Sequence, residues 1–197
     1  MNCNFRKYLL DKAPFSEEQL RVIDSLCVNR FLRRKQWLLR ESDVCRYYTF
    51  ISKGCMKQCR VNQNGDLHVS KFAVEDCWIW DSESLHTGMP SKTGICAVEE
   101  SELLCWTESS FEFIFKTIPE FDRIFRRVTA SEISEQQNRL YKVTSTTAEE
   151  RYLDFAATFP DMLKRVPLYL VAAYLGVTRE TLTRIRLKDR HQPCLRS

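Results

Sequence analysis

A chain of 197 residues that is 44% hydrophobic can bury one sizeable core and a second, smaller one, so two domains are expected. The net charge of +4 does not by itself argue for nucleic acid, and no run approaches the roughly 20 consecutive apolar residues of a membrane span. The nine cysteines are odd in number and scattered, and MNCNFRKYLL lacks a signal-peptide core and cleavage site, so a reduced, cytoplasmic protein is expected.

In chain order, Ser16 with Glu17, Glu18 and Gln19 opens an amphipathic helix to about Cys27, with Leu20, Ile23, Leu26 and Cys27 on one side. The period then changes. From Val28 to Trp106, short runs rich in Val, Ile, Phe, Tyr, Trp and Cys alternate with turn residues at Ser42-Asp43, Lys53-Gly54, Asn64-Gly65, Thr87-Gly88 and Glu99 to Ser101. About eight strands in so short a span predict a closed or nearly closed β structure, a barrel or jelly roll. Asn64-Gly65 predicts a type I′ hairpin turn, in which both central residues have positive φ.

Cys55 and Cys59 are four apart, but no second pair has zinc-finger spacing and His68, His86 and His191 are dispersed. The cysteines therefore read as small buried hydrophobes rather than metal ligands. Helical periodicity resumes at Ser109. Pro119 to Ser145 reads as one helix about 40 Å long at 1.5 Å per residue. Its apolar positions, Phe121, Ile124, Phe125, Val128 and Leu140, are expected to pair with a second copy, the alternative being that the helix packs along its own barrel. Thr146-Thr147 with Glu149 and Glu150 caps a further helix, Ala148 to Thr158, which Phe159-Pro160 breaks.

The most informative stretch is Leu168 to Arg186, LYLVAAYLGVTRETLTRIR, whose spacing predicts a helix-turn-helix. Ala172 allows close helix approach, Gly176 supplies the left-handed turn, Val177 points inwards and Thr178 caps the second helix. At about 100° per residue, Leu182 and Ile185 face the first helix, and Arg179, Glu180, Thr183 and Arg184 point outwards. Arg suits the guanine O6 and N7 pair, Glu can accept from cytosine N4, and Thr178 is placed for phosphate. Arg186 and Lys188 extend the positive face. From Pro160 onwards eight Lys and Arg stand against three acids, and the rest of the chain is close to neutral.

Together, an N-terminal helix, a small β structure, a long helix and the segment VAAYLGVTRETLTRIR resemble the Crp/Fnr family of bacterial transcription regulators over nearly the whole chain. The resemblance implies an α+β chain: a cyclic-nucleotide-binding-like β-barrel or jelly roll at 1–117, a dimerisation helix at 118–145 and a DNA-binding domain at 146–197. It places Arg179, Glu180 and Arg184 on the family's base-reading positions. The expected partners are double-stranded DNA, a second copy of the chain and RNA polymerase, with no membrane.

The resemblance fails at the effector cassette. Members that bind cyclic AMP carry Gly-Glu-Leu and, about ten residues on, an Arg that holds the cyclic phosphate. Here Asp81 stands at the Glu and Ser91 at the Arg, with Trp80, Ser82, Lys92 and Thr93 completing the candidate effector pocket. A buried phosphate needs a cation or several N–H donors. Ser91 offers one hydroxyl, and Lys92 points to the other face of a strand. A collapsed or repurposed pocket is expected, with no certain cofactor and an unidentified small effector or none. Only eleven residues follow Arg186, which leaves little room for the β-hairpin wings of longer members.

The functions weighed are a homodimeric DNA-binding regulator, a true cyclic AMP receptor gating DNA binding, and an enzyme. No nucleophile and base stand at a motif spacing, and there are only five glycines. His86 with Asp81 or Glu83 is the nearest approach to an acid/base set, so catalysis is not expected.

Overall fold

The computed structural model describes residues 1–191, with side chains to Lys188. It holds two compact units, Met1–Arg60 with Ser70–Glu132, and Val61–Val69 with the chain from Ile133 onwards.

The first unit begins with α1 (Cys3–Leu10) and α2 (Glu17–Ser25), whose Ser16 and Gln19 form the expected reciprocal cap. Eight strands follow among the described residues: β1 (Val28–Leu32), β2 (Trp37–Leu39), β3 (Tyr47–Lys53), β4 (Met56–Val61), β5 (Leu67–Ala73), β6 (Trp78–Ile79), β7 (Gly94–Ala97) and β8 (Ser101–Thr107). A short helix, α3 (Ser82–Thr87), lies between β6 and β7, and α4 (Glu108–Thr117) and α5 (Pro119–Ser145) follow β8. The strands form two four-stranded sheets, ordered β1-β8-β3-β6 and β2-β7-β4-β5. This is the expected jelly-roll arrangement but not a closed barrel. With only three residues in β2 and two in β6, those strands are too short to carry a ladder from one sheet to the other.

Alternation along β3 decides what each sheet face packs against. Tyr48 and Phe50 meet the helices. Phe50 lies 4.7 Å from Phe5 of α1, and Tyr48 is stacked at 4.1 Å on Phe111 of α4 and 5.3 Å from Phe125 of α5. Thr49 and Ile51, also fully buried, belong to the opposite face. Trp78 and Trp106 complete the aromatic core, and each indole N–H has an acceptor, the Tyr8 hydroxyl at 3.1 Å and the Ile23 carbonyl at 2.9 Å.

Helix α5 has the predicted bounds, but its apolar residues divide. Phe121, Ile124 and Phe125 are buried, and Val128 packs against the core of the first unit. Burial withdraws the first three from any second copy, which corrects the expected seam. Apolar residues at three- and four-residue spacing read alike whether they face their own domain or another chain. Leu140 is exposed, as are Ile133, Tyr141 and Val143.

In the second unit, the β4-β5 hairpin turns differently from expectation. Gly65 has φ +86°, but Asn64 is not among the positive-φ residues. The Gly65 N–H donates to the Asn62 carbonyl at 3.0 Å and the Asn62 N–H to the Asp66 carbonyl at 3.0 Å, as in a type I turn closed by a glycine bulge. Asn62 selects this turn: its side-chain oxygen accepts from the N–H groups of Asn64 and Asp66 at 2.9 and 2.8 Å.

After α5 come α6 (Ala148–Thr158), capped by Thr147 and Glu150 as predicted, α7 (Met162–Arg165), α8 (Leu168–Leu175) and α9 (Arg179–His191). The short α7 occupies part of a stretch read as a break. Tyr152, Phe155, Met162, Val166, Leu170, Val171, Leu175, Leu182 and Ile185 form this unit's core.

Candidate nucleic-acid interface

Helix α8 is apolar almost throughout, and its last turn must end sharply for α9 to cross it. Gly176 has φ +68°, where a side chain would strain the backbone although a Cβ would meet nothing within 4 Å. The Gly176 and Val177 N–H groups both donate to the Ala172 carbonyl. Ala172 itself is 3% exposed between the helices. Thr178 caps α9, its hydroxyl accepting from the Thr181 N–H at 3.1 Å.

From that fixed start, Leu182 and Ile185 are buried, and Arg179, Glu180, Thr183, Arg184 and Lys188 are exposed. Arg186 is half-buried. The Thr183 hydroxyl donates to the Arg179 carbonyl at 2.9 Å. Among the described residues, Arg179, Arg184, Arg186 and Lys188 make no ion pair. Arg196 and the side chains of Asp189 and Arg190, counted in the basic tail, lie outside the described residues.

Two residues that sequence reasoning missed hold the α8-α9 pair in place. A helix C-terminus leaves carbonyls without intrahelical partners and carries partial negative charge. At the end of α8, Arg139 of α5 donates to the Tyr174 carbonyl at 2.9 Å, and Arg151 of α6 donates to the Leu175 carbonyl at 3.1 Å. Arg139 also donates to the Val69 carbonyl of the hairpin at 2.8 Å, and its guanidinium lies 4.4 Å over the Tyr174 ring. Burial lowers its pKa from the usual range, while the Tyr174 hydroxyl is pushed up by its own burial. No sequence signal marks either arginine, since each is one cation among many polar helix residues.

The candidate effector residues of the first unit come together differently. Asp81 caps α3, accepting from the Ser84 N–H at 3.0 Å. Its other oxygen accepts from the Ser91 hydroxyl at 2.5 Å and the Thr93 hydroxyl at 3.1 Å. Ser91, 4% exposed, also lies 2.7 Å from the Thr93 carbonyl. The cluster is a carboxylate closed by the chain's own hydroxyls. Ser82 and Lys92 are exposed, and Lys92 pairs with Glu83 at 2.8 Å. Trp80 is half-buried, 5.6 Å from Tyr48 and 5.4 Å from Phe125, and its indole N–H is buried without a partner among the described residues. His86 is held by the Tyr48 hydroxyl at 3.2 Å and lies 2.7 Å from the Ser82 carbonyl, while Asp81 and Glu83 are engaged elsewhere.

No family model and no curated protein matches the sequence. Solved structures do match. FixK2 from Bradyrhizobium japonicum is similar with a TM-score of 0.71 at 17% identity, over 84% of this chain and 85% of that one. The c-di-GMP responsive global regulator CLP of Xanthomonas campestris is similar at 0.70 and 13% identity, over 92% and 95%. A protein from Eubacterium rectale assigned as a transcriptional regulator of the crp/fnr family is similar at 0.71 and 11% identity, over 93% and 87%. With two four-stranded sheets in one unit and the α8-α9 pair in the other, the chain has the fold of Crp/Fnr-type regulators.

Proposed function

We propose that this chain is a sequence-specific transcription regulator that reads double-stranded DNA as a homodimer. The observation that carries the reading is the outer face of α9: Arg179, Glu180, Thr183 and Arg184 are all exposed at the start of a helix whose other face is anchored by Leu182 and Ile185. Residues at that end of a recognition helix reach base edges in the major groove, and Arg186 and Lys188 further along suit phosphates. The dimer half of the reading is supported by the exposed Ile133, Leu140, Tyr141 and Val143 of α5, which a second copy would cover. Contact with RNA polymerase belongs to the same reading.

In the first unit, the closure of Asp81 by Ser91 and Thr93 supports an effector other than a cyclic nucleotide. A cyclic phosphate at Ser91 would meet a buried hydroxyl already engaged with Asp81 and no adjacent cation, because Lys92 points outwards to Glu83.

A duplex selected by the parent protein from a randomised library tests the DNA reading. Each bidentate arginine contact contributes about 1–3 kcal/mol of discrimination, so in a gel shift Arg179→Ala with Arg184→Ala should weaken binding about a hundredfold. Equal binding by the double variant would remove the proposal.

A further inference from the structure

On the outer face of α9, Thr183 differs from its neighbours in what its side chain has left to offer. Its hydroxyl donates its one proton to the Arg179 carbonyl at 2.9 Å, one turn back in the same helix. An exposed threonine whose hydroxyl lies back along the helix presents its γ-methyl as the outward group. At about 100° per residue, Thr183 falls between Arg179 and Glu180, one turn further along. Arg179, Glu180 and Arg184, all exposed, carry longer side chains, so the short Thr183 marks a recess among them. One turn beyond, Leu187 is 54% exposed at the (i, i+4) position from Thr183. A methyl and an isobutyl group thus lie in line on a face whose other members are polar.

We infer that Thr183 selects thymine, through contact between its γ-methyl and the 5-methyl of the base in the major groove. The inference rests on the DNA reading of α9 and adds a base identity to it. It gives a role to a residue outside Arg179, Glu180 and Arg184, the positions that the family resemblance assigns. Among the four bases only thymine carries a methyl group in the major groove, and an apolar side-chain group recognises it by displacing water. Thymine O4 and the guanine N7 and O6 are acceptors, which a hydroxyl whose proton is already used does not serve. Adenine and cytosine present donors that the hydroxyl's lone pairs can accept, and the substitutions below separate such a bond from the methyl contact.

A gel shift of the full chain with the duplex selected by the parent protein tests this. Each thymine of the half-site is replaced in turn by deoxyuridine, in both half-sites together, which removes the 5-methyl and leaves every hydrogen-bonding group in place. At one position the lost methyl should weaken binding about fourfold per half-site, and so about fifteenfold over two. Thr183→Ser keeps the hydroxyl and lacks the methyl, so it should bind the thymine and uracil duplexes equally. Thr183→Val keeps the methyl and lacks the hydroxyl, so it should bind like the parent and still prefer thymine. Equal binding of both duplexes by the parent, a thymine preference that survives in Thr183→Ser, or one that is lost in Thr183→Val would each overturn the inference and leave the DNA reading standing. A parent protein that selects no duplex would instead remove the DNA reading, and the inference with it.

Discussion

Two polar surfaces of this chain differ in what their side chains already hold. In the Asp81 cluster, the carboxylate and the hydroxyls of Ser91 and Thr93 satisfy one another, and the Ser84 N–H takes the remaining oxygen. On α9, Arg179 and Arg184 extend from a well-anchored helix with no ion pair among the described residues. Desolvating a group that already has partners means breaking those bonds, whereas an exposed cation without one gains on meeting an anion. The contrast separates an exposed cationic face that an anion can engage from a carboxylate cluster that is closed on itself.

The largest effect is expected where the α8-α9 pair depends on a buried support. Arg139→Met keeps the aliphatic stem but removes the donor shared by the Val69 and Tyr174 carbonyls. Hydrogen bonds from a charged group contribute about 1.5–3 kcal/mol, so urea unfolding should show a loss of about 2–4 kcal/mol, with weaker duplex binding. An unchanged midpoint would mean that α8 is held without this arginine.

On the closed side, Asp81→Asn preserves shape and removes the charge that accepts from Ser91 and Thr93. A loss of about 1–2 kcal/mol in the same unfolding measurement is expected. A neutral or stabilising result would show that the carboxylate is kept for a ligand, at the expense of the fold.

The smallest effect concerns the core beneath both surfaces. Burial pushes the Cys27 thiol and the Tyr8 hydroxyl up to about 12, and Cys105 to about 11. These groups keep their protons in the folded chain at pH values where the unfolded chain releases them. The unfolded state then binds fewer protons, so stability should decline as pH rises from about 9 towards 11. Thermal melting across that range checks the sign. At about pH 8, iodoacetamide should modify exposed Cys3 before Cys27, Cys45, Cys59, Cys96 or Cys105, whose thiols burial also raises.

Much of this was legible before any coordinates. The bounds of α5, the caps at Ser16 and Thr147, the left-handed Gly176 and the inward Leu182 and Ile185 are all local consequences of residue type and spacing. Hydrogen bonds and steric limits within a few residues fix them, so a linear string contains the information. Tertiary structure alone decided the rest. It buried Phe121 and Phe125 in the first unit, closed Asp81 with hydroxyls ten and twelve residues away, and set Arg139 against carbonyls 70 and 35 residues distant. Those outcomes depend on which distant groups come within hydrogen-bond or packing range, and such distances arise only when the chain has folded.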